Sequence, residues 1–85
     1  MKNIKIYTFT YCPFCTRAKK LLNNKNINFE EINLSDNPEK FEEMVEKSKG
    51  ARTVPQIFVD DTHIGDCDYI HLLDNEGKLD TIIKD

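Results

Sequence analysis

Cys12 and Cys15 stand two residues apart in the run Cys12-Pro13-Phe14-Cys15. Two thiols at that spacing can close into one disulfide or share one metal ion, provided the backbone brings both sulfurs to one side. The first turn of a helix does so, because residues three apart lie on one helix face. Pro13 fits the first helical position, where the N–H it lacks has no intrahelical partner. The spacing therefore predicts Cys12 at the N-cap and Cys15 one turn inside. Free backbone N–H groups and the positive end of the helix dipole then favour a thiolate at Cys12. A charge at a helix terminus gains about 0.3–1 kcal/mol, or ~2 kcal/mol when partly buried. Stronger activation of Cys12 needs hydrogen bonds or a nearby cation. Thiolates attack disulfides and ligate metals, so redox exchange and metal binding are the two chemistries to separate.

Composition narrows the setting. A chain of 85 residues, 39% of them hydrophobic, predicts one domain over residues 1–85 with a single modest core. A net charge of -3, with no basic stripe interleaved with aromatics, argues against a nucleic-acid partner. The start, Met1-Lys2-Asn3-Ile4-Lys5-Ile6, holds no apolar stretch long enough for a signal peptide or a membrane span. The expectation is a cytoplasmic protein with no membrane association. Three cysteines, an odd number, do not make a secreted disulfide framework, and in a reducing compartment a Cys-X-X-Cys pair is more often catalytic or metal-binding.

The elements that must position the thiols can be read in order. Ile4–Thr8 is a run of β-branched and aromatic residues, a strand that ends in a polar turn at Phe9-Thr10-Tyr11. The helix opened by the cysteines runs to about Asn24, with Ala18, Leu21 and Leu22 on its inner face. Asn28–Leu34 alternates as a second strand. Asn37-Pro38 begins a second helix as cap and first residue; Phe41, Met44, Val45 and Ser48 line its inner face and Gly50 closes it as a left-handed cap. Val54–Val59 is a strand whose beginning Pro55 marks. Asp60-Asp61-Thr62 turns it into a short return at His63-Ile64 before Gly65. Asp66 or its neighbour caps a third helix with Ile70, Leu72 and Leu73 apolar, closed by Asn75 and Gly77, and Ile82 and Ile83 supply a last helical turn. Alternating strands and helices predict an α/β layer arrangement with at least one parallel crossover.

Three motifs now stand in order: Cys12-Pro13-Phe14-Cys15, Thr53-Val54-Pro55 and Gly65-Asp66-Cys67-Asp68. Together they resemble the glutaredoxin family, and the likeness extends through Tyr7-Thr8, Thr53–Val59, Ile64-Gly65 and Leu79. The resemblance implies the thioredoxin fold, a four-stranded mixed sheet flanked by helices, and glutathione-dependent thiol-disulfide exchange. It implies Cys12 as nucleophile, Cys15 as resolving thiol and a cis bond between Val54 and Pro55. It further implies that glutathione is held by Phe14, Arg52, Thr53, Val54, Pro55, Cys67 and Asp68. The Val54 backbone would add to glutathione as a strand does. Thr53 and Arg52 would bring a hydroxyl and a positive charge, and the start of the third helix at Cys67-Asp68 would receive the γ-glutamyl carboxylate. Glutathione is then a co-substrate, with no tightly bound cofactor and no metal. The partners implied are glutathione and disulfide-containing or glutathionylated proteins, ribonucleotide reductase being one candidate, acting on a monomer.

Three positions depart from the family pattern: Phe9 stands where many members carry lysine, Phe14 replaces a common tyrosine, and Asp66 replaces a common second glycine. From Phe9 and Asp66 weaker glutathione binding is expected, with Arg17, Lys19, Lys20 or Arg52 left to supply the missing cation. Two alternatives use the same cysteines. Cys67 and His71 could complete a Cys3His zinc set with Cys12 and Cys15, or Cys12 and glutathione could carry an iron-sulfur cluster across a dimer, against which Pro13 argues. Taken alone, Cys67 reads as a buried small hydrophobe, His63 and His71 as surface or helix residues, and Arg17-Ala18-Lys19-Lys20 as a solvated face able to steer acidic partners.

Overall fold

The computed structural model describes residues 2–84. Strand β1 (Ile4–Thr8) leads through α1 (Pro13–Asn24) to β2 (Glu30–Asn33), and a 3-10 turn at Pro38–Lys40 runs into α2 (Phe41–Lys47). Strands β3 (Gln56–Val59) and β4 (Thr62–Gly65) precede α3 (Cys67–Asn75) and α4 (Leu79–Lys84). The sheet order is β2-β1-β3-β4. β1 and β2 are parallel, and β3 runs antiparallel to both β1 and β4. This is the four-stranded mixed sheet that the motifs imply.

Strand side chains alternate between faces, and the apolar ones divide accordingly. Ile4, Ile6, Ile57 and Val59 pack on one face with Ala18 and Leu22 of α1, Cys67, Ile70 and Leu73 of α3, and Leu79 and Ile83 of α4. Tyr7, Ile32, Leu34 and Phe58 form a second cluster on the opposite face with Met44 of α2. The single core expected from chain length is thus two layers, because a sheet with helices on both sides divides it. Lys25 ties the end of α1 to the other helices, its Nζ 2.6 Å from Asp74 and 3.3 Å from Asp80.

Several local expectations change. Asn37 flanks the second helical segment without a side-chain cap bond, because its Nδ2 donates instead to the Asn33 carbonyl at 3.0 Å. The left-handed residue that closes α2 is Lys49 (φ 61°), not Gly50 (φ 114°). Gly50 N–H donates to the Val45 carbonyl at 2.8 Å, which puts it one place beyond the left-handed cap position. Asp60 and Asp61 have φ of 49° and 66°, the two positive values of a tight hairpin turn, so Thr62 belongs to β4. Leu72 of α3 is exposed, while Ile70 and Leu73 are buried. His63, read as a surface or helix residue, is a half-buried member of β4.

Candidate active site

Pro13 opens α1 and Cys12 caps it in an extended conformation, φ −141° and ψ 102°. The Cys12 Sγ accepts the Cys15 backbone N–H at 3.2 Å, and the Cys12 carbonyl accepts from Thr16 N–H at 3.0 Å. The cysteine therefore occupies the role that a serine or aspartate fills at a helix start. A donor points at the sulfur, where a thiolate would carry its charge. Cys12 is half-buried and Cys15 buried, and all three cysteines are free thiols. Burial, and then a hydrogen bond with Cys12, pushes the Cys15 thiol up to about 12, against weaker pulls from the Phe9 backbone and Lys19. At neutral pH Cys15 is a thiol.

A cavity of about 280 Å³ opens between the first turn of α1, the loop before β3 and the start of α3, lined by Phe14, Thr53, Val54, Pro55, Asp66, Cys67 and Asp68. Six of the seven residues anticipated around glutathione meet here. Arg52 does not line it: its guanidinium lies 5.3 Å from the centroid of the Phe41 ring, and Nη2 donates to Glu42 Oε1 at 3.1 Å. Cys67 is buried beneath the cavity; burial pushes its thiol up, with Arg17 pulling the other way and Asp68 and Asp66 adding to the rise.

The loop carrying Thr53 and Val54 is held from behind. The Val54–Pro55 peptide is cis. Gln56, only 3% exposed, donates through Nε2 to the Thr53 carbonyl at 3.0 Å and to its Oγ1 at 3.3 Å. Its Oε1 lies 2.6 Å from His63 Nε2, and the His63 ring packs against Phe58 with centroids 5.0 Å apart. Burial lowers the His63 pKa, with Asp66 opposing, so a neutral ring donating Nε2–H to Gln56 accounts for the contact. Apolar periodicity passes over both residues. The one available signal is a glutamine heading the otherwise apolar strand Gln56-Ile57-Phe58-Val59.

At the start of α3, Asp66 is the N-cap and its Oδ1 accepts Tyr69 N–H at 2.9 Å. Gly65 adopts φ +148°, and a Cβ there would lie 2.8 Å from Tyr69 Cδ2. Phe9 stacks on Phe41, centroids 6.4 Å apart and planes 11° from parallel. Of the cations considered for its place, Lys19 pairs with Glu31 at 3.0 Å, Arg17 lies 5.9 Å from the Phe14 ring centroid, Arg52 is engaged on α2, and Lys20 lines a separate groove, not the cavity. Among the described residues, no three His, Cys, Asp or Glu side chains converge as a metal-binding group. Cys67 lines the first cavity and His71 a separate groove. No helix of the described residues is long and apolar enough to cross a membrane.

Comparison with known proteins gives one answer. The glutaredoxin family model matches residues 4–64. Glutaredoxin 3 of Escherichia coli K12 is 49% identical over 84 residues, covering 99% of this chain and 100% of its own. A glutaredoxin of Pseudomonas aeruginosa is 45% identical over 84 residues, with 99% of each covered. Among solved structures, the Brucella melitensis glutaredoxin superimposes with a TM-score of 0.84 at 46% identity, over 99% of this chain and 90% of that one. A buckwheat glutaredoxin–glutathione complex does so with a TM-score of 0.86 at 29% identity, over 98% and 77%.

Proposed function

The chain belongs to the glutaredoxin family and is a thiol-disulfide oxidoreductase, and from that premise we propose that it uses glutathione to reduce glutathione mixed disulfides and protein disulfides through Cys12 and Cys15. The observation that carries the assignment is the Cys12 Sγ at the start of α1, half-buried and accepting the Cys15 N–H. Attack on a disulfide requires a thiolate, and this sulfur caps a helix start and accepts a backbone N–H there.

On a glutathionylated protein, the Cys12 thiolate attacks the glutathione sulfur. The Cys12–glutathione bond forms as the bond to the protein breaks, and the protein leaves as a thiolate that takes up a proton. A second glutathione thiolate then attacks the glutathione sulfur held on Cys12, releasing glutathione disulfide and restoring Cys12. On a protein disulfide, Cys12 forms the mixed disulfide with the protein. Cys15 then loses its proton and attacks Cys12, so the substrate departs reduced and a Cys12–Cys15 disulfide remains for two glutathiones to reduce. The high pKa of Cys15, about 12, suits a group that stays protonated until Cys12 is engaged.

The cavity supplies room for glutathione. The Val54 main chain would pair with its cysteinyl backbone in strand addition, Phe14 would cover it, and the first N–H groups of α3 would take the γ-glutamyl carboxylate, with Asp68 near its ammonium. That a structural neighbour is a glutathione complex supports this use. Glutathione acts as co-substrate, with no resident cofactor. The test is a pair of variants: Cys15→Ser should keep deglutathionylation and lose protein-disulfide reduction, whereas Cys12→Ser should lose both. Activity surviving Cys12→Ser would overturn the assignment.

A further inference from the structure

A second groove is lined by residues of α1 and α3. Its volume is about 280 Å³ and its lining is Arg17, Lys20, Leu21, Asn24 and His71. Positions 17, 20, 21 and 24 recur at three and four residues, so they form one stripe of α1. That helix carries Arg17, Lys19 and Lys20 and no acid. Lys19 is taken by Glu31 at 3.0 Å, which leaves Arg17 and Lys20 as its cations without an acidic partner among the described residues. On the α3 side, the acids one turn to either side of His71 are Asp68, which lines the glutathione cavity, and Asp74, which Lys25 holds at 2.6 Å. The lining is therefore basic and polar around one leucine, although the whole chain carries -3. His71 Nε2 is enclosed with no hydrogen-bond partner among the described residues, so it is the cations of α1 that face an incoming segment.

The groove begins where the glutathione cavity ends. Phe14 lines that cavity, and Arg17 lies over its ring at 5.9 Å. A helix rises about 1.5 Å per residue, which places Lys20 roughly 12 Å along α1 from Cys12. An extended peptide covers that span in about four residues.

We propose that this groove docks an acidic segment of the protein substrate, a carboxylate about three or four residues from the cysteine being reduced, and that Lys20 and Arg17 thereby set preference among protein substrates. The inference rests on Cys12 as the exchange cysteine. Opposite charges brought together at such a rim steer encounter and select partners more than they add affinity, so the preference resides chiefly in KM.

The test uses two glutathionylated peptides that differ only in carrying glutamates or glutamines at the third and fourth positions on either side of the cysteine. The wild-type protein should turn over the glutamate peptide about two- to fivefold more efficiently in kcat/KM at low salt, and the preference should fade as salt is raised. Lys20→Gln should remove most of it and Lys20→Glu should reverse it, while turnover of the small substrate hydroxyethyl disulfide with glutathione stays unchanged in both variants. Equal rates on the two peptides, or a preference that survives Lys20→Glu, would overturn the groove. A wild-type protein inactive on hydroxyethyl disulfide would overturn the exchange reading itself; one active there and blind to peptide charge overturns the groove alone.

Discussion

The backbone N–H of Cys15 donates to the sulfur of Cys12 at 3.2 Å, so the residue read as the resolving thiol also supplies a donor to the residue read as the nucleophile. The two thiols thereby differ in environment although they share one helical turn: one is half-buried at the cap, the other buried and pushed up to about 12.

That difference is measurable by alkylation. In a Cys12→Ser variant, burial, the larger cause of the raised value, remains. Reaction of Cys15 with iodoacetamide should therefore be slow at pH 7 and rise about tenfold per pH unit up to pH 10, since only the thiolate reacts. A rate that levels off near pH 8, followed by mass spectrometry of the labelled peptide, would contradict a thiol held near 12.

Phe9 and Asp66 together weaken the fit of an anionic tripeptide. Phe9 is stacked on Phe41 and brings no charge, and the Asp66 carboxylate occupies the Tyr69 N–H at the helix start where a ligand carboxylate would be received. Phe9→Lys and Asp66→Gly should each lower KM for a glutathionylated substrate, and the pair should lower it further. Glycine is tolerated at an N-cap at a cost of a few tenths of a kcal/mol, so the fold should persist. Unchanged KM in the double variant by steady-state kinetics would contradict the idea.

Gly65 is required by both its backbone and its neighbour. At φ +148°, a Cβ would stand 2.8 Å from Tyr69 Cδ2 and 2.9 Å from Tyr69 Cβ. Gly65→Ala must strain the backbone or displace the first turn of α3, so it should destabilise the protein by about 1–3 kcal/mol. Thermal unfolding reads that loss, and a melting temperature equal to that of the wild type would contradict it.

Tyr7 contributes an acid-sensitive bond on the α2 side of the sheet. Its hydroxyl donates to Glu43 Oε2 at 2.7 Å, and this bond, ahead of an opposing burial effect, holds the Glu43 carboxyl below its ordinary value. A depressed carboxylate pKa stabilises the fold above the unfolded-state value and loses that contribution as pH falls through the folded one. Tyr7→Phe should cost about 1 kcal/mol at pH 7, and the gap from the wild type should narrow below about pH 4. Urea unfolding at pH 7 and pH 3 tests both the size and the sign.

Much of the site is legible in the chain because helix starts obey short-range rules. Cys12 as cap, Pro13 at the first helical position and Asp66 as the cap of α3 each depend on residues within one turn, and the structure has all three. Leu72 shows where such rules stop. An apolar residue next to Leu73 on a helix is equally apolar whether it faces the sheet or the solvent, and only the docking of α3 on the sheet leaves it exposed.

The sequence by itself determined the paired thiols, the order of strands and helices and the three motifs that converge on one site, since hydrogen bonding and side-chain periodicity act over about four residues. Tertiary structure alone decided that Thr53–Pro55 and Asp66–Asp68 wall one cavity with Phe14, and that Gln56 and His63 brace it. It also decided that Arg52 turns to Phe41 and Glu42, leaving Arg17 and Lys20 beside a second groove. The cavity joins residues far apart in the chain, and the Gln56–His63 and Arg52–Glu42 contacts span 7 and 10 residues, beyond the reach of helix or strand periodicity; a long charged side chain takes whichever acid or ring the fold brings within reach.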